Sequence, residues 1–218
     1  MTLAQAFADQ SVSCAKLGSP FMGQLLGQLA EHWPKGGALD AYFESFSGDL
    51  GPAGASLPLR LAGGLHALVL SGQAPELSSV YPPNTVSDAL LREAVLKSLA
   101  THEAFLLNWV RSAPQTNEVR RSAALMAGAA VARTYSDLPV CLSELGASGG
   151  LNMMWDHFAL ALPNALLGAK NPVLTLSPDW MGALPPLRLP TVAERAGVDL
   201  NPLDPRRDTD LLRMIAYL

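Results

Sequence analysis

The residues best suited to chemistry lie in one short segment, Glu144-x-Gly146-x-Ser148-x-Gly150. The apolar run 140–145 before it predicts a buried strand, and the apolar spacing from Asn152 onwards predicts a helix. Glycines between a strand and a helix let backbone N–H groups and a helix N-terminus approach a ligand closely. The segment therefore predicts a ligand-binding loop, and an ordinary strand-to-helix turn is the alternative.

The same segment resembles the first motif of Rossmann-like S-adenosylmethionine (SAM) methyltransferases. In that motif an acidic residue ends the first strand, and a glycine-rich loop passes under the cofactor. The resemblance implies that Glu144 orients the amino-acid end of SAM, directly or through water, and that Gly146, Ser148 and Gly150 line the loop. Ser148 departs from the motif, which has a glycine at that position.

A second phrase, Gly197-Val-Asp199-Leu-Asn-Pro202, looks like the second strand of a SAM methyltransferase. The resemblance implies that Asp199 binds the ribose, since one carboxylate accepts hydrogen bonds from two vicinal hydroxyls. The alternative for Asp199 is an Asx-type turn after a strand. The distance from Gly150 to Asp199 exceeds the ~20 residues of a compact βαβ unit, so an insertion at 164–190 is predicted.

Methyl transfer is an in-line displacement at a sulfonium, in which positioning does most of the work and no fixed triad is required. Candidate groups on the side of the methyl acceptor are Asn117, Asp156 and His157. SAM is accordingly the predicted cofactor, and a small molecule is the predicted partner.

Two other functions compete with methyl transfer. Gly146-x-Ser148-x-Gly150 matches the nucleophile elbow of α/β-hydrolases, which makes Ser148 a candidate nucleophile. That chemistry needs a later histidine, and His157 lies in the helix predicted directly after the loop, from which it does not reach back over the serine. The third hypothesis is non-enzymatic, a degenerate Rossmann-like domain that binds a metabolite or serves as a scaffold.

Composition bounds the class of protein. The chain has 218 residues, 49% of them apolar and 16% charged, which suits a packed core and argues against disorder. A net charge of −4 argues against a nucleic-acid partner. Four histidines without clustered Cys/His pairs or His-x-x-x-His spacing predict no metal site.

The location of the protein is predicted from its cysteines and its apolar segments. Cys14 and Cys141 lie far apart in apolar contexts and are predicted to be buried free thiols in a reducing compartment. The N-terminus has neither the positive region nor the apolar core of a signal peptide. The most apolar window, 123–132, is shorter than the ~20 residues that span a bilayer. We therefore expect a soluble cytoplasmic protein without a membrane partner.

The predicted fold is α/β, with a helical N-terminal region, 1–112, packed on a Rossmann-like region, 113–218. Helices are predicted at 59–70, which is apolar almost all round, at 87–111, and at 118–134 with Asn117 as its cap. A further strand is predicted at 173–176, and residues 163–170 are predicted to be a break. Because the chain ends on an apolar helix, we expect an incomplete sheet that a second copy of the chain covers.

Several phrases together resemble one bacterial family of uncharacterised proteins, known only as a domain of unknown function. The resemblance covers nearly the whole chain and implies that family members run longer at the C-terminus, but it brings no reaction with it. The phrases that carry it are Gly18-Ser19-Pro20, 60–70, 115–118, 144–152 with Asp156, and 197–204.

Overall fold

The computed structural model describes residues 1–115 and 118–217, which form two compact units. The first unit holds Met1–Gln115 and, after an excursion of the chain, Asp208–Leu218. The second unit is Thr116–Arg207. The second unit is therefore an insertion in the sequence of the first.

The first unit is helical in its described residues, which confirms the predicted helical N-terminal region. Two of its 14-residue helices, Leu3–Lys16 and Asp88–Thr101, begin with a side-chain cap: Thr2 Oγ1 accepts from Gln5 N at 3.2 Å, and Ser87 Oγ accepts from Leu90 N at 3.4 Å. The helices are α1 (Leu3–Lys16), α2 (Pro20–His32), α3 (Ala38–Glu44), α4 (Leu57–Leu70), α5 (Pro75–Ser78), α6 (Asp88–Thr101), α7 (Glu103–Trp109) and, at the C-terminal end, α9 (Asp208–Ile215).

Helix α4 lies in the core of the first unit, as its apolar composition predicts. Leu61, Leu65 and Leu68 are fully buried. Helix α9 packs on α4 within the same unit, where His66 Nδ1 lies 3.0 Å from Ala216 O. The prediction of a buried helix at 59–70 is confirmed, and the single histidine in it contacts a backbone carbonyl.

The single helix predicted at 87–111 is wrong, because the chain breaks at His102 into α6 and α7. His102 has φ −112° and ψ 23°, outside helical geometry. The break allows the side chain of Glu103, the first residue of α7, to contact the first turn of α3, where Glu103 Oε1 accepts from Leu39 N at 3.0 Å. This tertiary contact joins residues 64 positions apart, so the apolar periodicity of the sequence does not predict it.

The second unit begins with the 3₁₀ helix Val119–Arg121, followed by α8 (Ser122–Ala132). The predicted cap, Asn117, lies outside the described residues. The side chain of Glu118 accepts instead from Arg120 N at 3.1 Å, which supports the first turn of the 3₁₀ helix. Met126 of α8 is fully buried in the apolar core of this unit, together with Trp155, Leu160 and Leu167.

The described residues of the second unit form two small sheets. Strand β1 (Val140–Leu145) pairs in parallel with β5 (Val192–Val198). Strand β2 (Phe158–Leu162) pairs antiparallel with β3 (Ala165–Gly168) and parallel with β4 (Leu174–Leu176). A mixed α/β fold and the predicted strand near 173–176 are confirmed, whereas the larger parallel sheet of a Rossmann-like domain is not.

Two predictions for the residues between β1 and β4 are wrong. The helix expected from Asn152 is a single 3₁₀ segment, Leu151–His157, which passes directly into β2. The break predicted at 163–170 holds a hairpin, because Asn164 adopts a left-handed φ of 61° and returns the chain into β3. The strand β2 is almost wholly buried, so packing overrides the helical spacing of its residues.

Strand β1 is half-buried on one side and exposed on the other. Its exposure alternates along the strand, and Cys141 and Leu145 lie on the exposed side. The prediction of a buried strand is thus wrong, and so is the prediction of a buried thiol for Cys141. Cys14 is half-buried, and both cysteines are free thiols. None of the helices in the described ranges has the length and apolarity needed to cross a membrane.

Candidate functional site

The parallel pairing of β1 and β5 sets the position of the candidate site. Glu144 is paired with Gly197, and Leu145 with Val198, so both strands end at the same edge of the small sheet. The glycine loop 146–150 follows β1 at this edge, and Asp199 follows β5 directly. The two segments that resemble cofactor-binding motifs are therefore adjacent in space.

The loop after β1 adopts left-handed backbone at three alternate positions. Gly146, Ser148 and Gly150 have φ values of 70°, 49° and 73°. Glycine adopts such angles without steric cost, whereas a residue with a Cβ does so at roughly 1–2 kcal/mol. The serine that departs from the SAM motif thus occupies a position whose backbone favours glycine, and its neighbours must hold it there.

Asp199 supplies part of that support. Its Oδ2 accepts from the backbone N–H of Ser148 at 2.8 Å, and its Oδ1 accepts from the backbone N–H of Asn201 at 2.8 Å. The second bond is an Asx-type turn, the alternative that the sequence left open for this residue. Leu203 N donates in addition to Ser148 O at 3.2 Å. The carboxylate therefore joins the glycine loop to the segment after β5.

The loop is also tied to β5 through its own backbone. The N–H groups of Gly146 and Ala147 both donate to Val198 O, at 2.8 and 3.1 Å. These bonds extend the pairing of the strands past the end of β1. The N–H groups of Gly146, Ala147 and Ser148 consequently all point to acceptors within the protein, on Val198 and Asp199.

Glu144 carries a buried carboxylate oxygen. Its Oε2 is shielded from solvent and has no hydrogen-bond partner among the described residues. On the paired position of β5, a Cβ added to Gly197 would lie 2.7 Å from Ala147 Cβ and 2.8 Å from Met153 Cε. The face that carries Glu144 is thus closely covered by the loop and by the 3₁₀ segment 151–157. A buried acceptor is costly when unpaired, so this oxygen is suited to an N–H or O–H donor on a ligand.

Asp156 and His157 lie on the 3₁₀ segment that follows the loop. Asp156 forms an ion pair with Arg195 of β5, and Arg195 Nε also donates to Met153 O at 3.0 Å. His157 Nε2 lies 3.9 Å from Asp156 Oδ2, and its side chain is 53% exposed. Asp156 therefore binds the segment to the sheet, whereas His157 presents its ring to solvent. Asn117, the third candidate, lies outside the described residues.

Three polar residues near the loop were missed by reasoning from the sequence. Ser122 and Asn152 are both buried, and Ser122 Oγ donates to Asn152 Oδ1 at 3.0 Å. This bond fixes the start of the 3₁₀ segment against α8. Arg195, the partner of Asp156, is the third. The sequence offered one signal for Arg195. It lies two residues before Gly197 on the same strand, and alternate residues of a strand share a face, so a strand here places Arg195 on the face that carries Gly197.

Comparison with known proteins gives a family and no reaction. The family model described as "Uncharacterized protein conserved in bacteria (DUF2332)" matches residues 4–218. The chain matches no curated protein and no solved structure.

Proposed function

The chain belongs to the bacterial family of uncharacterised proteins DUF2332, and from its geometry we propose that it binds SAM or a SAM-like adenosyl ligand at the shared edge of β1 and β5. Methyl transfer is the proposed reaction class. The observation that carries the proposal is the placement of the glycine loop beside Asp199, with Ser148 N 2.8 Å from Asp199 Oδ2.

The parallel register supports this location. In open α/β sheets, ligands bind outside the carboxyl ends of parallel strands, where loops of neighbouring strands meet. Here the loop 146–150 and Asp199 meet at such an edge, at the ends of β1 and β5. This topology supports the proposed position of the ligand, even though the sheet is small.

Each proposed contact uses a carboxylate at this edge of the sheet, Glu144 or Asp199. Glu144 Oε2, buried and unpartnered among the described residues, accepts from the ammonium of the ligand's amino-acid end. The ribose hydroxyls donate to Asp199, because each oxygen of a carboxylate accepts more than one hydrogen bond. Since Asp199 also holds Ser148 N, ribose binding and the order of the loop are coupled.

The proposed reaction breaks the bond between the sulfonium sulfur and the methyl carbon as the acceptor forms its bond to that carbon. S-adenosylhomocysteine leaves, and the acceptor loses a proton to a base. His157 suits the role of that base better than Asp156, because Asp156 is paired with Arg195 and His157 is half exposed. The acceptor is proposed to be a small molecule.

Calorimetric titration of S-adenosylhomocysteine tests the proposal. We expect the wild-type chain to bind, and we expect Asp199→Ala and Glu144→Gln each to weaken binding by about tenfold or more, as loss of a charge-assisted contact does. Asp179→Ala removes an exposed carboxylate of the same unit and is the matched control, expected to leave binding unchanged. Absence of binding to the wild-type chain contradicts the proposal and leaves the non-enzymatic hypothesis with a different ligand.

One observation favours a second candidate, the serine hydrolase. Ser148 has a φ of 49° in the loop after β1, and a nucleophile elbow also places its serine on a strained turn after a strand. The following segment is 3₁₀ rather than α-helical, and His157 contacts Asp156 on its own segment. We therefore expect no adduct at Ser148 with a fluorophosphonate probe, and a specific adduct would favour the hydrolase over methyl transfer.

A further inference from the structure

A pocket lies in the first unit, between the turn that follows α2, helix α3, and the break between α6 and α7. Its volume is 280 Å³. Its apolar wall is formed by Trp33, Pro34, Leu96 and Leu99, and Ala100 lies at an exposed position beside them. Small-molecule pockets begin at ~300 Å³, and an apolar cavity of ~150 Å³ accepts benzene, so this pocket has room for one aromatic ring and a short chain.

The polar groups of the pocket are Lys35, Asp40 and Glu103. Lys35 Nζ is already paired, at 3.3 Å from Asp40 Oδ1 and 3.2 Å from Glu44 Oε1. Asp40 is buried and also accepts from Trp33 Nε1 at 2.7 Å. The ammonium of Lys35 is therefore balanced by carboxylates of the protein and is poorly suited to hold an anionic ligand.

Glu103 is the carboxylate of the pocket that no described cation pairs with. Its Oε1 accepts from Leu39 N at 3.0 Å, which fixes the side chain in one orientation. A Cβ at position 37 would collide with Glu103 Oε1, so the glycine there permits this close approach. The pocket thus presents a positioned negative charge beside an apolar wall.

We propose that this pocket binds an arylalkylammonium, a small organic cation with one aromatic ring and a primary ammonium. The ring packs on the wall formed by Trp33, Leu96 and Leu99, and the ammonium donates to the carboxylate of Glu103. Beside the pocket, Asp40 and Glu44 carry two negative charges against the single positive charge of Lys35, and the resulting net negative charge attracts a cation. The site consists only of residues of the first unit and does not depend on the function proposed for the glycine loop.

Three probes of similar size and different charge test the ligand class. By NMR titration, we expect 2-phenylethylammonium to bind and to shift the Trp33 Nε1–H resonance, 2-phenylethanol to bind more weakly, and 3-phenylpropionate to bind most weakly. Equal binding of the three probes, or no binding of the cation up to its solubility limit, overturns the proposal.

Two pairs of variants test the location. Glu103→Gln keeps an oxygen that accepts from Leu39 N but removes the charge, and we expect it to weaken binding of 2-phenylethylammonium by about tenfold or more. Glu93→Gln, at an exposed position of α6, is its control. Ala100→Phe fills the pocket from its exposed side and is expected to abolish binding, whereas Ala104→Phe, at an exposed position of α7, leaves binding intact. Binding that survives both Glu103→Gln and Ala100→Phe contradicts the location.

Discussion

The backbone N–H of Ser148 donates to Oδ2 of Asp199 at 2.8 Å, across 51 positions of the sequence. The bond joins the glycine loop after β1 to the residue that directly follows β5. Because Ser148 has a left-handed φ, the loop depends on neighbours that hold it in place, and Asp199 is one of them. The residue proposed to bind the ribose is therefore also one that shapes the loop.

Removal of this carboxylate is expected to loosen the loop. Asp199→Ala deletes the acceptor for Ser148 N and Asn201 N, and we expect the free energy of unfolding to fall by about 1–3 kcal/mol. Asp199→Asn keeps one oxygen and should lose less. Urea denaturation measures the free energy, and hydrogen exchange measures the protection of the Ser148 amide. Unchanged protection in Asp199→Ala would show that the loop is held by its other contacts.

Two glycines of the second unit are expected to respond in opposite directions to alanine. A Cβ on Gly197 would lie 2.7 Å from Ala147 Cβ, so Gly197→Ala should overpack the cover of β5 and lower the free energy of unfolding by about 1–3 kcal/mol. Gly128 in α8 has open space at its Cβ, and Gly128→Ala should raise it by up to about 1 kcal/mol. Thermal unfolding of both variants is the measurement. A stabilised Gly197→Ala would contradict the close packing of Ala147 and Met153 against Gly197.

The buried hydrogen bond between Ser122 and Asn152 gives a third prediction. Ser122→Ala removes the donor and leaves Asn152 Oδ1 buried, so the free energy of unfolding should fall by about 1–3 kcal/mol. The double variant Ser122→Ala with Asn152→Leu removes both partners, and a double-mutant cycle then isolates the coupling between them. Additive losses in the cycle would show that the bond contributes nothing.

Because of Asp40, the free energy of unfolding of the first unit is expected to fall at acidic pH. The Gly36 backbone N–H, with donors from Trp33 and Lys35, lowers the pKa of Asp40 below its usual value of 3.8, against the opposing effect of burial. A carboxyl with a depressed folded pKa stabilises the protein above the unfolded pKa, and that stabilisation is lost as the pH falls through the folded value. We therefore expect a loss of stability below about pH 4, and a flatter profile for Asp40→Asn, by urea denaturation at a series of pH values. If the free energy of unfolding of Asp40→Asn falls as steeply with pH as that of the wild-type protein, groups other than Asp40 cause the loss of stability.

The helical region was predictable because its signals are local. Continuous leucine and alanine composition at 59–70 predicted a buried helix, and α4 occupies almost that range. Asp199 was likewise singled out because residues 197–202 resemble the second strand of a SAM methyltransferase, and it does follow a strand that pairs with β1. What these signals share is that neighbours in the sequence carry them.

The rest of the site depends on contacts between distant residues. The break at His102 accompanies the bond from Leu39 to Glu103, and the 3₁₀ segment after the loop is held by Arg195 and Ser122. Spacing after Asn152 suited a helix, but the following residues are buried as strand β2. The helix or strand propensity of a segment is a weak signal where tertiary packing determines its secondary structure, and packing has the largest influence on short strands.

The insertion of one unit into the other has a consequence for the order in which the chain is made. Helix α9 lies on α4, and its contact from Ala216 to His66 spans 150 positions. A ribosome therefore delivers every residue of the second unit before it delivers the helix that covers α4. Until then the nascent first unit exposes the apolar side chains around Ala67 and Trp109 that later pack against α9. Synthesis of the first unit therefore starts before that of the second unit and is completed after it.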